Sequence, residues 1–394
     1  MRIVGIIAEY NPLHRGHIYQ LEKAREMSGA EGAVIVMSGS FVQRGEPALT
    51  DKYRRAEAAL KAGADLVLEL PPAYAAGSAE NFARGGVSML KACGAVTDLA
   101  FGAETADLAA LTAAADLLLK EDAAMKAQLA EALRAGLPYP KAMAQAAAVK
   151  DPAAARILAS PNNTLAVEYI KAVKRLDAPL ALHAVPRLGS SHGEDALPED
   201  GSCASAGAIR RALREGISPE MLEDQLAPGT AGMLEPCLFP EDISAALSAV
   251  LLRADKARLM QAEDMTEELA ARILRLKPYT LSFEELADAP ATKAYTKARV
   301  RRALLHVLLD IPRGAGRKEP CCLKILGLNA SSPVPSLIRE KAFLPVITKA
   351  ADDAAELAAD MRFAADVYDQ AVYAKTGVRL PDDYRRSPVI LKNS

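Results

Sequence analysis

The sequence predicts an α/β fold: a Rossmann-like parallel sheet with helices on both faces, a helical insertion, and an α-rich C-terminal domain. Three observations predict it. Short apolar runs of strand length recur early in the chain, helix-like segments alternate with them, and the last third is helical in pattern with two strand-like runs. Strands that alternate with helices pair in parallel through right-handed crossovers.

The first run, RIVGIIA over 2–8, stops at Glu9 with no small-residue cleavage site after it, so it reads as a strand and not as a signal peptide. Strands follow at 32–37 (GAVIVM), 66–70 (LVLEL) and 98–101 (DLAF). Helices fall between them at 17–28, at 51–62 after Thr50 as N-cap, and at 80–92. From about 105 to 160 the chain turns Ala- and Leu-rich with helical periodicity and no strand pattern, which reads as an insertion. A helix over 163–176, a strand over 180–185 and a helix opening near Ala204 resume the α/β pattern, with a polar, mobile loop expected at 188–202. The Pro/Gly-rich stretch 226–242 marks a boundary, giving domains at 1–228 and 229–394. In the second domain CCLKILGL and FLPVIT are strand-like.

Composition narrows the function. No apolar run approaches the roughly 18 residues of a membrane span, so the chain reads as soluble, with no membrane partner. A net charge of −2 excludes a protein that coats nucleic acid through overall charge, and any nucleic acid must be held by a local patch. The five cysteines, Cys93, Cys203, Cys237, Cys321 and Cys322, show no C-x-x-C spacing, which fits a reduced cytoplasmic setting without a zinc site.

The chemistry concentrates where the first strand gives way to a helix, in NPLHRGHIYQL. His14 and His17 stand three apart across a helix start, where unpaired N–H groups and the helix dipole favour an anion. Gly16 between them lets a phosphate come close. Imidazoles placed there can donate hydrogen bonds to phosphate oxygens as charge builds during attack on phosphorus. Two alternatives stand beside this: capping or core histidines, and a metal pair, which would need a third ligand that no nearby His or Cys supplies.

The segments GIIAEYNPLHRGHIYQL, VMSGSFVQRGEPA, DLVLELPPAYA and FGAET, in that order, resemble the tRNA(Met) cytidine acetate ligase family within the HxGH nucleotidyltransferases. The resemblance is strongest over 1–105, persists through SPNNTLAVEYIKA, AVPRLGSSH and ASAGAIRRAL, and is only general beyond about 230. It implies ATP and Mg²⁺ as cofactors, and acetate and elongator tRNA(Met) as partners. It also implies activation of acetate as acetyl-adenylate and acetyl transfer to N4 of the wobble cytidine.

On the residues, the resemblance implies catalysis by His14 and His17. ATP contacts would come from Ile7, Ala8, Glu9, Tyr10, Asn11, Pro12, Gly16, Gln20, Gly102, Asn162, Arg187, Leu188, Ser205 and Arg210. Arg187 ends a strand-like run, Ser205 and Arg210 match a second phosphate-binding signature, and Asn163 is the nearer N-cap for its helix. That signature departs from the family at Gly207 and Ala208, where hydroxyl residues are usual. Ser38, Ser40, Gln43 and Arg44 form an expected acetate pocket, against the plainer reading of a β-to-α turn. Lys293, Lys297, Arg299, Arg301 and Arg302 form a basic helical stripe, either a solvated face or a tRNA contact, beside the basic loop 313–318. His183 and His306 read as structural, His192 as part of the loop. No base stands out for the second step. The alternatives are a small-molecule adenylyltransferase and a nucleotide- or RNA-binding module without turnover.

Overall fold

A computed structural model describes the chain except residues 189–195, 199–201, 278, 280, 293–294, 352–353 and 393–394. Its strands are β1 (Ile3–Ala8), β2 (Gly32–Ser38), β3 (Phe41–Val42), β4 (Glu46–Pro47), β5 (Leu66–Leu70), β6 (Asp98–Ala103), β7 (Ala181–Pro186), β8 (Leu323–Asn329), β9 (Val346–Ile347) and β10 (Val389–Leu391). The main sheet runs β10-β8-β5-β2-β1-β6-β7, with β9 against β8. Every pair is parallel except β5 with β8. The five strands expected from the first half are present. The two C-terminal runs extend the same sheet, so the sheet crosses the stretch 226–242. A single strand's pattern carries its burial but not its partner, and this pairing left no mark in the sequence.

Helices α1 (Arg15–Ser28) and α2 (Lys52–Lys61) cover one face, where Leu21, Ala24, Ala56 and Leu60 pack with Val4, Ile6 and Ile35. Helices α3 (Pro72–Ala75) and α4 (Ala79–Ala92) cover the other, joined after the insertion helices α5 (Leu108–Leu119), α6 (Ala123–Arg134), α7 (Tyr139–Ala148) and α8 (Pro152–Leu158) by α9 (Pro161–Arg175). There Val87, Leu90, Val167 and Ile170 meet Ile3, Leu99 and Phe101. The chain leaves β1 toward the first face and β6 toward the second. A crevice therefore opens between the carboxyl ends of β1 and β6, the usual ligand position in such sheets.

Two helix starts differ from the sequence reading. Asp51, not Thr50, caps α2, accepting from the Tyr53 and Arg54 amides. Ser160 occupies the cap position of α9, and Asn163 lies inside the helix with its side-chain oxygen accepting from the Thr105 amide. In both cases the expected cap is engaged elsewhere, Thr50 donating to the Met233 carbonyl and Asn163 accepting from Thr105.

After α10 (Ala206–Arg214) come α11 (Ser244–Arg253), α12 (Lys256–Leu259), α13 (Glu267–Leu276), α14 (Phe283–Asp288) and α15 (Lys297–Leu308), then α16 (Val334–Lys341) and α17 (Ala359–Thr376). Leu247, Leu251, Leu304 and Tyr368 from this set form one apolar cluster with Phe41 and Val42. The hairpin that follows β2 is thus the wedge between sheet and C-terminal helices. Gly45 permits the contact: its φ is +75°, and an added Cβ would lie 2.5 Å from the Arg302 amide nitrogen.

Candidate active site

The stretch from Glu9 to His17 turns sharply from β1 into α1 and is braced from behind. Residues 225–227 run alongside it, with the Arg15 amide donating to the Gln225 carbonyl and the Ala227 amide to Leu13. The second signature helix also reaches in. Ser205 caps α10 by accepting from the Ala208 amide at 3.0 Å, and one turn on Arg210 donates to the Asn11 carbonyl at 2.7 Å.

Within this turn the two histidines order each other. His14 caps α1: its Nδ1 accepts the Gly16 amide at 3.1 Å, while the Nδ1 of His17 accepts the His14 amide at 3.3 Å. The rings stack at 3.8 Å between centroids, and Tyr10 meets His17 edge-on at 5.0 Å. An Nδ1 that accepts leaves the ring proton on Nε2, so both neutral imidazoles offer one donor each. They stay neutral because burial, then the nearby Arg187 and Arg210, holds His14 down to about 3. Burial, then His14 and Arg187, lowers His17 in the same direction. Capping, one of the readings the sequence left open, is what both Nδ1 atoms do, and it leaves each Nε2 as a donor.

A cleft opens over this pair, lined by His14, Gly16, His17, Gln20, Gly102 and Arg187, with Leu188 on the same wall. The two catalytic expectations and five of the ATP-contact expectations, Gly16, Gln20, Gly102, Arg187 and Leu188, therefore converge. A Cβ on Gly102 would stand 3.6 Å from Arg187 and 3.9 Å from Gln20, so the glycine leaves the cleft floor open. Ile7 and Ala8 belong to β1, and Tyr10 is buried beneath the turn. Asn162 does not line the cleft; its amide donates to Glu104 at 2.6 Å, and the same carboxylate accepts the Asn163 amide. Gly207 and Ala208 lie in the first turn of α10, where the Ala208 amide is taken by the Ser205 cap. His192 falls outside the described residues.

Beside the cleft lies a polar junction beneath the hairpin. Ser38 and Ser40 are buried, whereas Arg44 is exposed. Among the described residues three buried donors there have no hydrogen-bond partner: Asn11 Nδ2, Ser38 Oγ and Gln43 Nε2. The Asn11 orientation is fixed, because its Oδ1 accepts the Leu49 amide at 2.7 Å.

Arg55, absent from the sequence reading, ties the junction together. Fully buried, it donates to the carbonyls of Thr50, Glu9 and Ser38 at 3.1, 2.7 and 3.0 Å and also to Gly39. In the sequence it is one of two adjacent arginines in a helix, and nothing marks it as the inward one.

The comparisons with known proteins agree across the whole chain. A family model described as HIGH Nucleotidyl Transferase matches residues 1–381. A protein named tRNA(Met) cytidine acetate ligase from Caldanaerobacter subterraneus subsp. tengcongensis is 36% identical over 386 residues, 95% of each chain. The chain belongs to this family. A member from Clostridium perfringens is 31% identical over 408 residues, covering 100% of both chains. Crystal structures of the Thermotoga maritima relative TmcAL, 28% identical, superpose over 100% of both chains. The TM-score is 0.88 for the form bound with alpha-thio ATP and 0.90 for the apo form.

The basic stripe is less available than its sequence suggests. In α15, Lys297 pairs with Glu284 and Asp288, Arg301 with Glu284 and Glu46, and Arg302 with Asp264. Arg299 stacks over Tyr295 at 5.1 Å, and Lys293 lies outside the described residues. His183 bonds Asp98 at 2.8 Å, and buried His306 contacts the Ala76 and Glu263 carbonyls. No helix among the described residues is long and apolar enough to cross a membrane.

Proposed function

We propose that this chain is an ATP-dependent ligase that activates acetate as acetyl-adenylate and transfers the acetyl group to N4 of the wobble cytidine of elongator tRNA(Met). The observation that carries the reading is the neutral, stacked His14–His17 pair, with both Nδ1 atoms occupied by backbone amides, at the crevice between β1 and β6. Whole-chain similarity to relatives bearing that enzyme name, and to one bound with alpha-thio ATP, supports the substrate assignment.

In this reading ATP lies along the cleft, with Gly16, Gln20 and Gly102 giving it room and the amides of α10 facing its phosphates. A carboxylate oxygen of acetate attacks the α-phosphorus, the bond to the bridging oxygen breaks, and pyrophosphate departs. The Nε2 protons of His14 and His17 bond the phosphate oxygens as charge grows, and Arg187 and Arg210 offset that charge. A carboxylate only accepts hydrogen bonds, and the unpartnered donors of Asn11, Ser38 and Gln43 form its natural seat. Exposed Arg44 adds longer-range positive charge. Mg²⁺ would ride on the nucleotide phosphates, because among the described residues no three His, Cys, Asp or Glu stand together as a cation site.

We place the tRNA on the side of the hairpin and α15. The cations left for phosphates there are Arg299 and, in the basic loop, Arg317 and Lys318, while Arg301 and Arg302 act through their pairs. The cytoplasm is the compartment where such a substrate is found.

The test is ATP–pyrophosphate exchange with and without acetate, alongside His17→Ala. Acetate-dependent exchange that falls by roughly 10²–10³-fold in the variant is the expected result. Exchange driven by a phosphate ester in place of acetate would favour a small-molecule adenylyltransferase.

A further inference from the structure

Acetyl transfer poses a proton problem that the histidine pair does not solve. The lone pair of a cytidine N4 amine is delocalised into its ring, so the nitrogen is a weak nucleophile. As its bond to the acyl carbon forms and the bond from that carbon to AMP breaks, one N–H proton has to leave. A positioned base accelerates such a step by about 10²–10⁴-fold.

Besides Glu284, which Lys297 and Arg301 hold, three carboxylates surround the crevice and junction, and two are committed. Glu46 lies 3.5 Å from both Arg210 and Arg301. Glu104 holds Asn162 and the Asn163 amide. The third, Glu9, stands immediately after β1 at the crevice. Its Oε1 accepts the Gln43 amide at 2.8 Å, and its Oε2 has no hydrogen-bond or ion-pair partner among the described residues. The Glu9 carbonyl is fixed by Arg55 at 2.7 Å, so the backbone that carries the side chain is held. Gln43 thus touches Glu9 through its amide and offers Nε2 to the acetate seat, which sets carboxylate and acyl group one residue apart.

We infer that Glu9 is the general base of acetyl transfer, its free carboxylate oxygen taking the proton that cytidine N4 loses as the C–N bond forms. The assignment rests on the acetyl-adenylate reading above. AMP leaves with the electron pair of the broken C–O bond, and the proton returns to solvent from Glu9 after release. The environment suits the role. Burial raises the Glu9 carboxyl above its usual range, opposed by the Gln43 amide and by Arg210 and Arg44, and reinforced by Glu46. Arg55 from α2 and Tyr169 from α9 complete the charged and titratable groups around it.

Glu9→Gln tests the assignment, since the amide keeps an oxygen for the Gln43 N–H. We expect single-turnover transfer of labelled acetate to tRNA to fall by about 10²–10³-fold. Acetate-dependent pyrophosphate exchange should fall as well, through the ATP contact expected of Glu9, but by at least about tenfold less than transfer, and the acidic limb of the transfer pH profile should disappear. Glu9→Asp should restore that limb and part of the rate. Transfer close to wild type in Glu9→Gln, or an equal fall in exchange and transfer, would overturn the assignment. Wild-type protein without acetate-dependent exchange would overturn the ligase reading itself, and is read out separately.

Discussion

Two clusters of buried charge sit near the carboxyl edge of the same sheet and are completed to different degrees. In the first, Lys52 and Lys324 share Glu69 and Asp383 at 2.6–3.0 Å, and Tyr53 donates to Asp383 at 2.9 Å. In the second, Glu46 stands between Arg210 and Arg301. Around it Glu46 Oε1, Arg301 Nε, Glu284 Oε1 and the Asn11, Ser38 and Gln43 donors lack hydrogen-bond partners among the described residues. An unmade buried hydrogen bond costs about 1–3 kcal/mol. Among the described residues every such need around Lys324 is met while several stay open around Glu46, beside the proposed acetate seat.

Breaking the complete cluster should give the largest effect, and on stability alone. Lys324 is fully buried and joins β8 to the tail beyond α17 through Asp383. Lys324→Met leaves Lys52 alone to neutralise two buried carboxylates, and we expect a loss of about 3–5 kcal/mol in urea unfolding with little change in exchange rate per folded molecule. A variant that unfolds like wild type would erase the contrast. The incomplete cluster should respond in the opposite way. Ser38→Ala removes a buried hydroxyl that has no partner, so stability should hold or rise. The KM for acetate should climb about tenfold, near 1.4 kcal/mol, with the KM for ATP little changed.

The same contrast explains what the sequence could convey. His14, His17, Gly16, Gln20, Gly102 and Arg187 were legible because they lie in short segments at strand ends, where local pattern and family resemblance both act. The strands of the first half were legible for the same reason. Arg55, the Glu46 pairs and the placement of β8 were not, since each depends on a partner far away in the chain. The basic stripe shows the limit from the other side. Four-residue spacing put Lys297 and Arg301 on one helical face, but Glu284, thirteen and seventeen positions earlier, neutralises both. Arg299 is therefore the sharper test of RNA contact. Arg299→Ala should weaken tRNA binding by about 1 kcal/mol and lower the salt slope by about one, whereas Arg301→Ala should act mainly on adenylation through Glu46.

The smallest effect lies in the pH dependence of folding, where the histidine pair behaves unlike any surface histidine. His14 is held down to about 3 in the folded chain against 6.5 when unfolded, so below 6.5 the unfolded state binds more protons and stability falls as pH falls. Between pH 7 and 6 this one group accounts for roughly 0.7 kcal/mol. Asp383 works in the same sense but lower down: held at about 2 against 3.8, it adds stability above 3.8 that is lost as pH drops through 2. His14→Asn keeps an N-cap acceptor for the Gly16 amide while removing the titration. The urea midpoint of that variant should decline less than wild type between pH 7 and 6, with His17 retaining part of the slope. An equal decline in both proteins would mean that His14 is not buried in its neutral form, and the donor role assigned to its Nε2 would fall with it.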